Sequence, residues 1–372
     1  MVIEKIDSVS DFQALRPQWD DLLAHSGSDC LFLTWEWMFS WWQHFGAGRE
    51  LALYAGRSGD ALDLIAPFAT RPPQLLRGKP WGALEPLGVG SVGSDYLDVV
   101  VRQDREREGL DRLATRLRED GVVLSVPRTH ADASCVRELA ERLARHGWFV
   151  DAAPATVAPY ITLAAHTWES YLDSLGREHR SNFRRRLRKL QERFDVRIDR
   201  AGTDAEREQA LEVLIRLHND RWRSRGGSTA FHQTPLVHFH QRFSRLALER
   251  EWLRLYLLRL DGEAVAALYG FRYADTFLFY QSGFDPRFAP QGVGLVLMGL
   301  VIREAIAEGA AEFDLLHGAE PYKFLWSGQT RELSNLELYP PTARGVVSHR
   351  LSDLSRTARA AVRRVASSAS AV

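Results

Sequence analysis

Residues 253–327 constrain this chain more than any other stretch. Two apolar runs flank Asp261-Gly262, a dipeptide suited to the left-handed positions of a tight hairpin turn. A third run, Phe277–Phe284, follows Ala274-Asp275, so a three-stranded meander is expected. The chain then passes through Pro290-Gln291-Gly292-Val293-Gly294 into a helix marked by Leu295, Met298, Ile302 and Ile306, which Gly309 stops. Gly299 inside that helix would let it pack closely on the sheet. Ala311–Leu316 reads as a short buried strand. Glycines at a helix start leave backbone N–H groups open to phosphate oxygens, and the helix dipole favours the same charge. Alone, Gly-x-Gly before a helix is as well explained by an ordinary turn.

The ordered set around it is more specific. A strand carries Tyr280, Ser282 and Asp285, a Y-x-S-x-x-D pattern, and Pro290 and Gly292 follow before the helix. The next strand ends in Phe313-Asp314, and Gly318, Glu320, Tyr322 and Lys323 come after it. This succession resembles the GNAT acyltransferase superfamily. It is most similar to the double-domain branch that includes FemAB-like aminoacyl transferases and the acetyltransferases of cellulose and exopolysaccharide synthesis. One position departs from the common acyl-CoA signature R/Q-x-x-G-x-G/A. With its glycines on Gly292 and Gly294, Ala289 occupies the basic or amide place, so one usual phosphate contact is missing.

The resemblance implies an α/β fold of mixed α+β layers in two tandem GNAT-like domains, each a twisted mixed sheet flanked by helices. The expected division is a degenerate N-terminal domain at 1–158, an acyltransferase domain at 159–342 and a basic helical tail at 343–372. An internal echo agrees with a duplication. LALYAGR at Leu51–Arg57 matches LRLYLLR at Leu253–Arg259, and each precedes a turn with glycine and aspartate and then another apolar strand. The first copy has no glycine loop opening a helix in the corresponding place.

Composition sets the remaining bounds. The 372 residues suffice for about two domains on a length prior. Basic and acidic residues balance at 48 each, so any electrostatic attraction to a partner must be local. Cys30 and Cys135 fit neither a metal spacing nor a disulfide framework. No apolar run approaches the about 20 residues of a membrane span, and the N-terminus has no signal core, so a cytoplasmic protein is expected.

Further elements follow in order. Ser10 and Gln13 read as a capping box before a helix carrying Leu15, Trp19, Leu22 and Leu23. A second helix from Thr34 carries Trp35, Trp37, Phe39, Trp41, Trp42 and Phe45; an aromatic groove is conceivable, core packing the better reading. Strands are expected at Leu51–Arg57, Leu62–Thr70, Tyr96–Val101, Val122–Val126 and Trp148–Val150, with helices at Asp111–Asp120 and Ala133–His146. Pro154 and Pro159 mark the domain boundary near Ala152–Leu163, with a strand at Tyr160–Leu163 starting the second domain. Arg177–Arg193 is a strongly basic helix with an apolar stripe at Phe183, Leu187 and Leu190. It is either a solvated face or a site for a phosphorylated acceptor, with Arg180, Asn182 and Arg184 as candidate contacts. Ala205–Arg225 forms a helix ending at Gly226-Gly227, and Thr234-Pro235 opens another; the two make an acceptor-side wall in a GNAT-like fold. His238 and His240 diverge around that helix and make no metal pair. Leu333–Tyr339 is a final strand, and the arginine-rich tail reads as a frayed, solvated helix.

On the resemblance, the donor is acetyl-CoA, held by Ser282, Gly283, Phe284, Gln291, Gly292, Val293 and Gly294. Proton handling falls to Tyr322, Lys323, Asp285, Glu320 or His317; the plain alternatives are that Tyr322 packs, Lys323 is solvated and Asp285 caps a turn. No metal is expected. The acceptor would be an amine on a sugar, amino-acid-derived, cell-envelope or exopolysaccharide metabolite, small or nucleotide-linked. The other readings are an aminoacyl-tRNA-dependent transferase and a catalytically silent accessory protein of polysaccharide synthesis. No Walker loop, zinc-protease helix, nucleophile elbow or cysteine cluster competes.

Overall fold

The computed structural model describes residues 1–74, 81–132, 134–223, 231 and 233–369, with the side chains of 222, 223 and 358–369 left out. The chain packs as two compact units, Met1–Ala155 with Leu333–Val372, and Thr156–Glu332.

The first unit opens with a strand that sequence reading missed, β1 (Val2–Ile6). The capping residue of α1 (Val9–Ala14) is Ser8, whose hydroxyl accepts the Asp11 amide, and not Ser10. α2 (Arg16–Ala24) follows directly, with Pro17 in its first turn. Thr34 caps α3 (Trp35–Phe45), and Trp35, Trp37, Phe39 and Trp41 are all buried, so these aromatics fill core and line no groove. β2 (Leu51–Ser58) and β3 (Ala61–Arg71) form the expected hairpin, and β4 (Ala83–Pro86) continues it.

Only Val100–Val101 of the expected 96–101 strand is realised, as β5. Tyr96 has φ 57°, and the Asp98 carboxylate bends back onto the Val99 amide while accepting the Cys135 and Val136 amides. Those local bonds replace a ladder. α4 (Glu106–Asp120) ends at left-handed Gly121, and β6 (Leu124–His130) and α5 (Cys135–Ala144) follow.

The expected boundary stretch lies within one long strand, β7 (Phe149–Thr162), which holds both prolines and carries the chain into the second unit. α6 (Trp168–Ser174) and α7 (Arg177–Gln191) lead to a short edge strand, β8 (Val196–Arg200). α8 (Asp204–Arg223) comes next; the expected stop at Gly226-Gly227 lies outside the described residues. α9 (Thr234–Glu249) has Gln233 at its cap position, so Thr234 is already helical. The meander is β9 (Leu253–Leu260), β10 (Glu263–Tyr273) and β11 (Thr276–Phe284), with Asp261 and Gly262 both at positive φ, as a tight turn requires. α10 (Val293–Ala307) and β12 (Glu312–Asp314) complete the core motif.

β13 (Gln329–Tyr339) returns the chain to the first unit, where Leu333–Leu338 pairs with β6. The strand was legible in the sequence; its partner was not. α11 (Ala343–Ala369) is docked over its first turns, since His349 and Arg356 both reach Asp151 and the His349 ring stacks on Phe149. No described helix is long and apolar enough to cross a membrane.

The two units share one topology. The first orders its strands β1-β2-β3-β4-β6-β13 and the second β8-β9-β10-β11-β12-β7. Each is antiparallel except at one place, β4 with β6 and β11 with β12. The repeated sequence at Leu51 and Leu253 therefore occupies equivalent strands, β2 and β9. In the second unit α10 lies on α7, not directly on the sheet alone: a Cβ at Gly299 would sit 2.3 Å from the Phe183 ring. Phe183, Leu190, Val293, Leu297 and Val301 share one core with the inner faces of β9–β11. α8 crosses β11 from the other side, where a Cβ at Gly283 would lie 2.4 Å from the His218 amide nitrogen.

Candidate active site

The site begins with an irregularity in β11. Gln281 pairs with Tyr269 and Phe279 with Gly270, leaving Tyr280 as an extra residue. Such a bulge bends the strand and shifts its alternation by one. Phe277 and Phe279 face the core under α10, and beyond the bulge Ser282 and Phe284 take over that face. The parallel pairing with β12 stops at Leu278–Asp314, so the last part of β11 is not laddered to β12.

A cavity of about 390 Å³ occupies the opening. Ser282, Gly283 and Phe284 form one wall, Gly292, Val293, Gly294 and the next turns of α10 a second, and Tyr322 with Trp326 a third. The turn entering α10 is held on several sides. Asp285 caps the 3-10 turn Pro286–Gln291 by accepting the Arg287 amide at 2.9 Å. Gly292 stands at φ 73° and no side chain caps the helix it opens. The first amide groups of α10 thus have no intrahelical acceptor and face a mostly apolar cavity. The first turn of α10 holds no acidic residue.

The charge missing at Ala289 returns from α7. Arg186 lies over Gly292, where an added Cβ would meet its Cδ at 2.7 Å, and it donates to the Pro290 carbonyl at 2.6 Å. Asn182 accepts from both Arg186 and Arg185, at 3.1 and 2.9 Å. A second contribution that sequence reading missed is Arg221 of α8, whose guanidinium sits 4.9 Å from the Phe284 ring centre and lines the same cavity. In the sequence, Arg186 belongs to a basic helix, read as either a solvated face or a site for a phosphorylated acceptor, and nothing singles out Arg221.

Of the expected donor contacts, Ser282, Gly283, Phe284, Gly292, Val293 and Gly294 come together around the cavity; Gln291 lines a neighbouring one. Of the expected proton-handling groups, only Tyr322 lines it. Burial, assisted by the Glu320 carboxylate, raises the Tyr322 phenol well above its ordinary pKa, so it stays protonated. Its hydroxyl makes no hydrogen bond to another described residue. Lys323 is buried and committed to the loop: its Nζ donates to the Leu316 and His317 carbonyls and pairs with Glu320 at 3.0 Å. Asp285 is held below the usual carboxylate range by its Arg287 hydrogen bonds, which suits a turn cap and not a proton donor. His317 and Glu320 do not line the cavity. Arg180 and Arg184 reach Asp173 instead, at 3.0 and 3.8 Å, while Asn182 orients the arginines beside the turn.

On the opposite face of β11, Tyr280 meets His240 Nε2 at 3.2 Å. Burial pushes that imidazole down to about 3, so it is neutral.

An uncapped glycine turn opening a helix, a bulged strand parting from its parallel neighbour and a protonated phenol thus meet around one cavity. Residues 177–324 match the model of the acetyltransferase (GNAT) domain, and they lie wholly within the second unit. The second unit thus contains a GNAT-type acetyltransferase domain. No curated protein matches it in sequence. Among solved structures it is similar to FemX, at 11% identity over 90% of this chain and 96% of that one, with a TM-score of 0.63. It is similar also to L-PGS from Bacillus licheniformis (13% identity, 93% and 97% covered, TM-score 0.53). A conserved protein of unknown function from Bacteroides thetaiotaomicron is a third (13% identity, 91% and 100% covered, TM-score 0.56). At these identities the likeness is one of fold.

Proposed function

We propose that the second unit transfers an acyl group, acetyl in the first instance, from a CoA thioester to the amine of a sugar, amino-acid-derived or cell-envelope metabolite. The observation that carries the reading is the continuity of one cavity from the bare helix start at Gly292–Gly294, along Ser282–Phe284, to the Tyr322 ring. A pyrophosphate on the α10 amides would gain both hydrogen bonds and the helix dipole. The pantetheine arm would lie along the part of β11 that β12 has left, bonding its open backbone groups.

Chemistry then needs little more than positioning and one proton. The neutral amine nitrogen attacks the thioester carbonyl carbon; the C–N bond forms and the C–S bond breaks. Tyr322 gives its proton to the leaving sulfur, and the proton shed by the new amide nitrogen returns through solvent to the phenolate.

Calorimetry with acetyl-CoA, followed by an assay of free thiol release with an amine acceptor panel, tests this. Binding that Gly292→Trp abolishes supports it; no binding of acetyl-CoA by the wild type rejects it. The cations of α7 favour one further reading, an aminoacyl-tRNA donor, which requires RNA binding with a steep salt dependence.

A further inference from the structure

Beside the glycine turn lies a second cavity, of about 320 Å³, that the chemistry above does not use. Four cations face it: Arg185, Arg186, Lys189 and Arg193. Helix α7 sorts its charges. Arg180 and Arg184 reach Asp173, and Arg188 reaches Glu192. Among the described residues, the four that face the cavity form no ion pair; Arg185 and Arg186 meet only the neutral Asn182 amide and Pro290 carbonyl. Like charges one helical turn apart, as at Arg185 and Lys189, cost a few tenths of a kcal/mol in a helix. The dipole at the end of α7 offsets a similar amount. Neither effect explains why four cations converge on one concave surface.

We infer that this cavity binds a phosphate monoester on the nucleoside end of the donor, the end remote from the thioester. The inference rests on the nucleotide-thioester reading of the neighbouring cavity. One turn separates the two: Ala289 and Gly292–Gly294 line the donor cavity, and Pro290 with Gln291 lines the basic one. An extended donor whose pyrophosphate sits on the α10 amides therefore reaches the cations next. Guanidinium groups hold a phosphate dianion through paired N–H donors, and the cavity wall offers them side by side. The arrangement compensates for Ala289: the basic contact absent within the turn is supplied beside it.

The test is calorimetry on the full chain with acetyl-CoA and with its 3′-dephospho form, using wild type and Lys189→Glu/Arg193→Glu. Both substituted side chains are exposed, and circular dichroism confirms that the variant is folded. Wild type should prefer the phosphorylated donor about tenfold or more, a preference that shrinks with salt. The variant should lose that preference while binding the dephospho form as wild type does. Equal wild-type affinity for the two donors overturns the inference and leaves the donor reading intact, as does an equal loss for both in the variant. Failure of wild type to bind either donor sinks the donor reading itself. RNA binding lost in the variant, without donor binding, reassigns the cavity to a nucleic-acid backbone.

Discussion

Replacing Gly292 by alanine tests whether the turn is held from α7. Its left-handed backbone, φ 73°, costs an L-residue about 1–2 kcal/mol. Reduced freedom of the unfolded chain returns about 0.4–1 kcal/mol. The new Cβ would also lie 2.7 Å from Arg186 Cδ and 2.8 Å from its Nη1. A guanidinium stem can swing away, but it then gives up the bond to the Pro290 carbonyl, worth about 1 kcal/mol at a partly exposed site. The sum is roughly 1–2.6 kcal/mol. A control separates the two parts. Gly59 has φ 64° with nothing within 4 Å of an added Cβ, so Gly59→Ala carries the backbone cost alone. Urea denaturation should show Gly292→Ala less stable than Gly59→Ala by about 1 kcal/mol, and that excess should vanish in an Arg186→Ala background. Acetyl-CoA affinity should fall for Gly292→Ala and not for Gly59→Ala. Equal stabilities, or an excess that persists without Arg186, would refute a turn clamped by that arginine.

Three further outcomes follow from the same geometry. Tyr322→Phe keeps the ring and removes the proton, so kcat should fall roughly 10²–10⁴-fold with thioester binding unchanged; a fall below about threefold rules the phenol out as the acid. Gly283→Ala sets a Cβ against the α8 backbone at His218, where no side chain can yield, and should lower stability by about 1–3 kcal/mol, read as a drop in thermal midpoint. His240, lowered to about 3 by burial, binds a proton more readily when unfolded; stability is full above about 6.5 and is lost as pH falls towards 3. His240→Gln should flatten the fall in thermal midpoint between pH 7 and pH 4, and an unchanged slope would show that other groups govern it.

What could be read from the sequence was whatever one short window decides. Asp261-Gly262 and Gly292 announce their turns because backbone sterics at positive φ are local. The α10 helix and the meander announce themselves by period. β8 escaped notice because Val-Arg-Ile-Asp-Arg, although it alternates, has only two apolar residues and no fully buried one, too short a signal to stand out beside a basic helix. The Tyr280 bulge is a count of residues against a partner strand, and nothing in β11 alone reveals it. Side-chain commitments are equally non-local. Lys323 and Tyr322 are neighbours, yet two carbonyls and Glu320 claim the lysine while the cavity receives the phenol. Likewise, the arginine that serves the glycine turn is Arg186, far upstream in the chain, and the vacant motif position at Ala289 gave no hint of where the charge would come from.

The two units share a topology, yet the donor site is proposed for the second alone. In the first unit, the loop after β4 takes the place of the turn after β11. There the Trp37 indole donates to Ser94 Oγ at 2.8 Å, Ser94 Oγ donates to the Gly88 carbonyl at 2.7 Å, and the Trp41 indole donates to the Val89 carbonyl at 2.8 Å. Trp37 and Trp41 of α3 thus tie this loop down, one through the Ser94 hydroxyl and one through the Val89 carbonyl. The helix corresponding to α10 is α4, and its first turn carries Glu106 and Glu108, the latter paired with the N-terminal ammonium at 2.7 Å. Carboxylates already occupy the positive end of that dipole, and they would repel a pyrophosphate. α10 has no such residue in its first turn. On the proposed function, donor titration should therefore saturate at one acetyl-CoA per chain. A stoichiometry of two would mean that neither the indole bonds nor the acidic first turn closes the first unit, and the asymmetry argued here would fall with it.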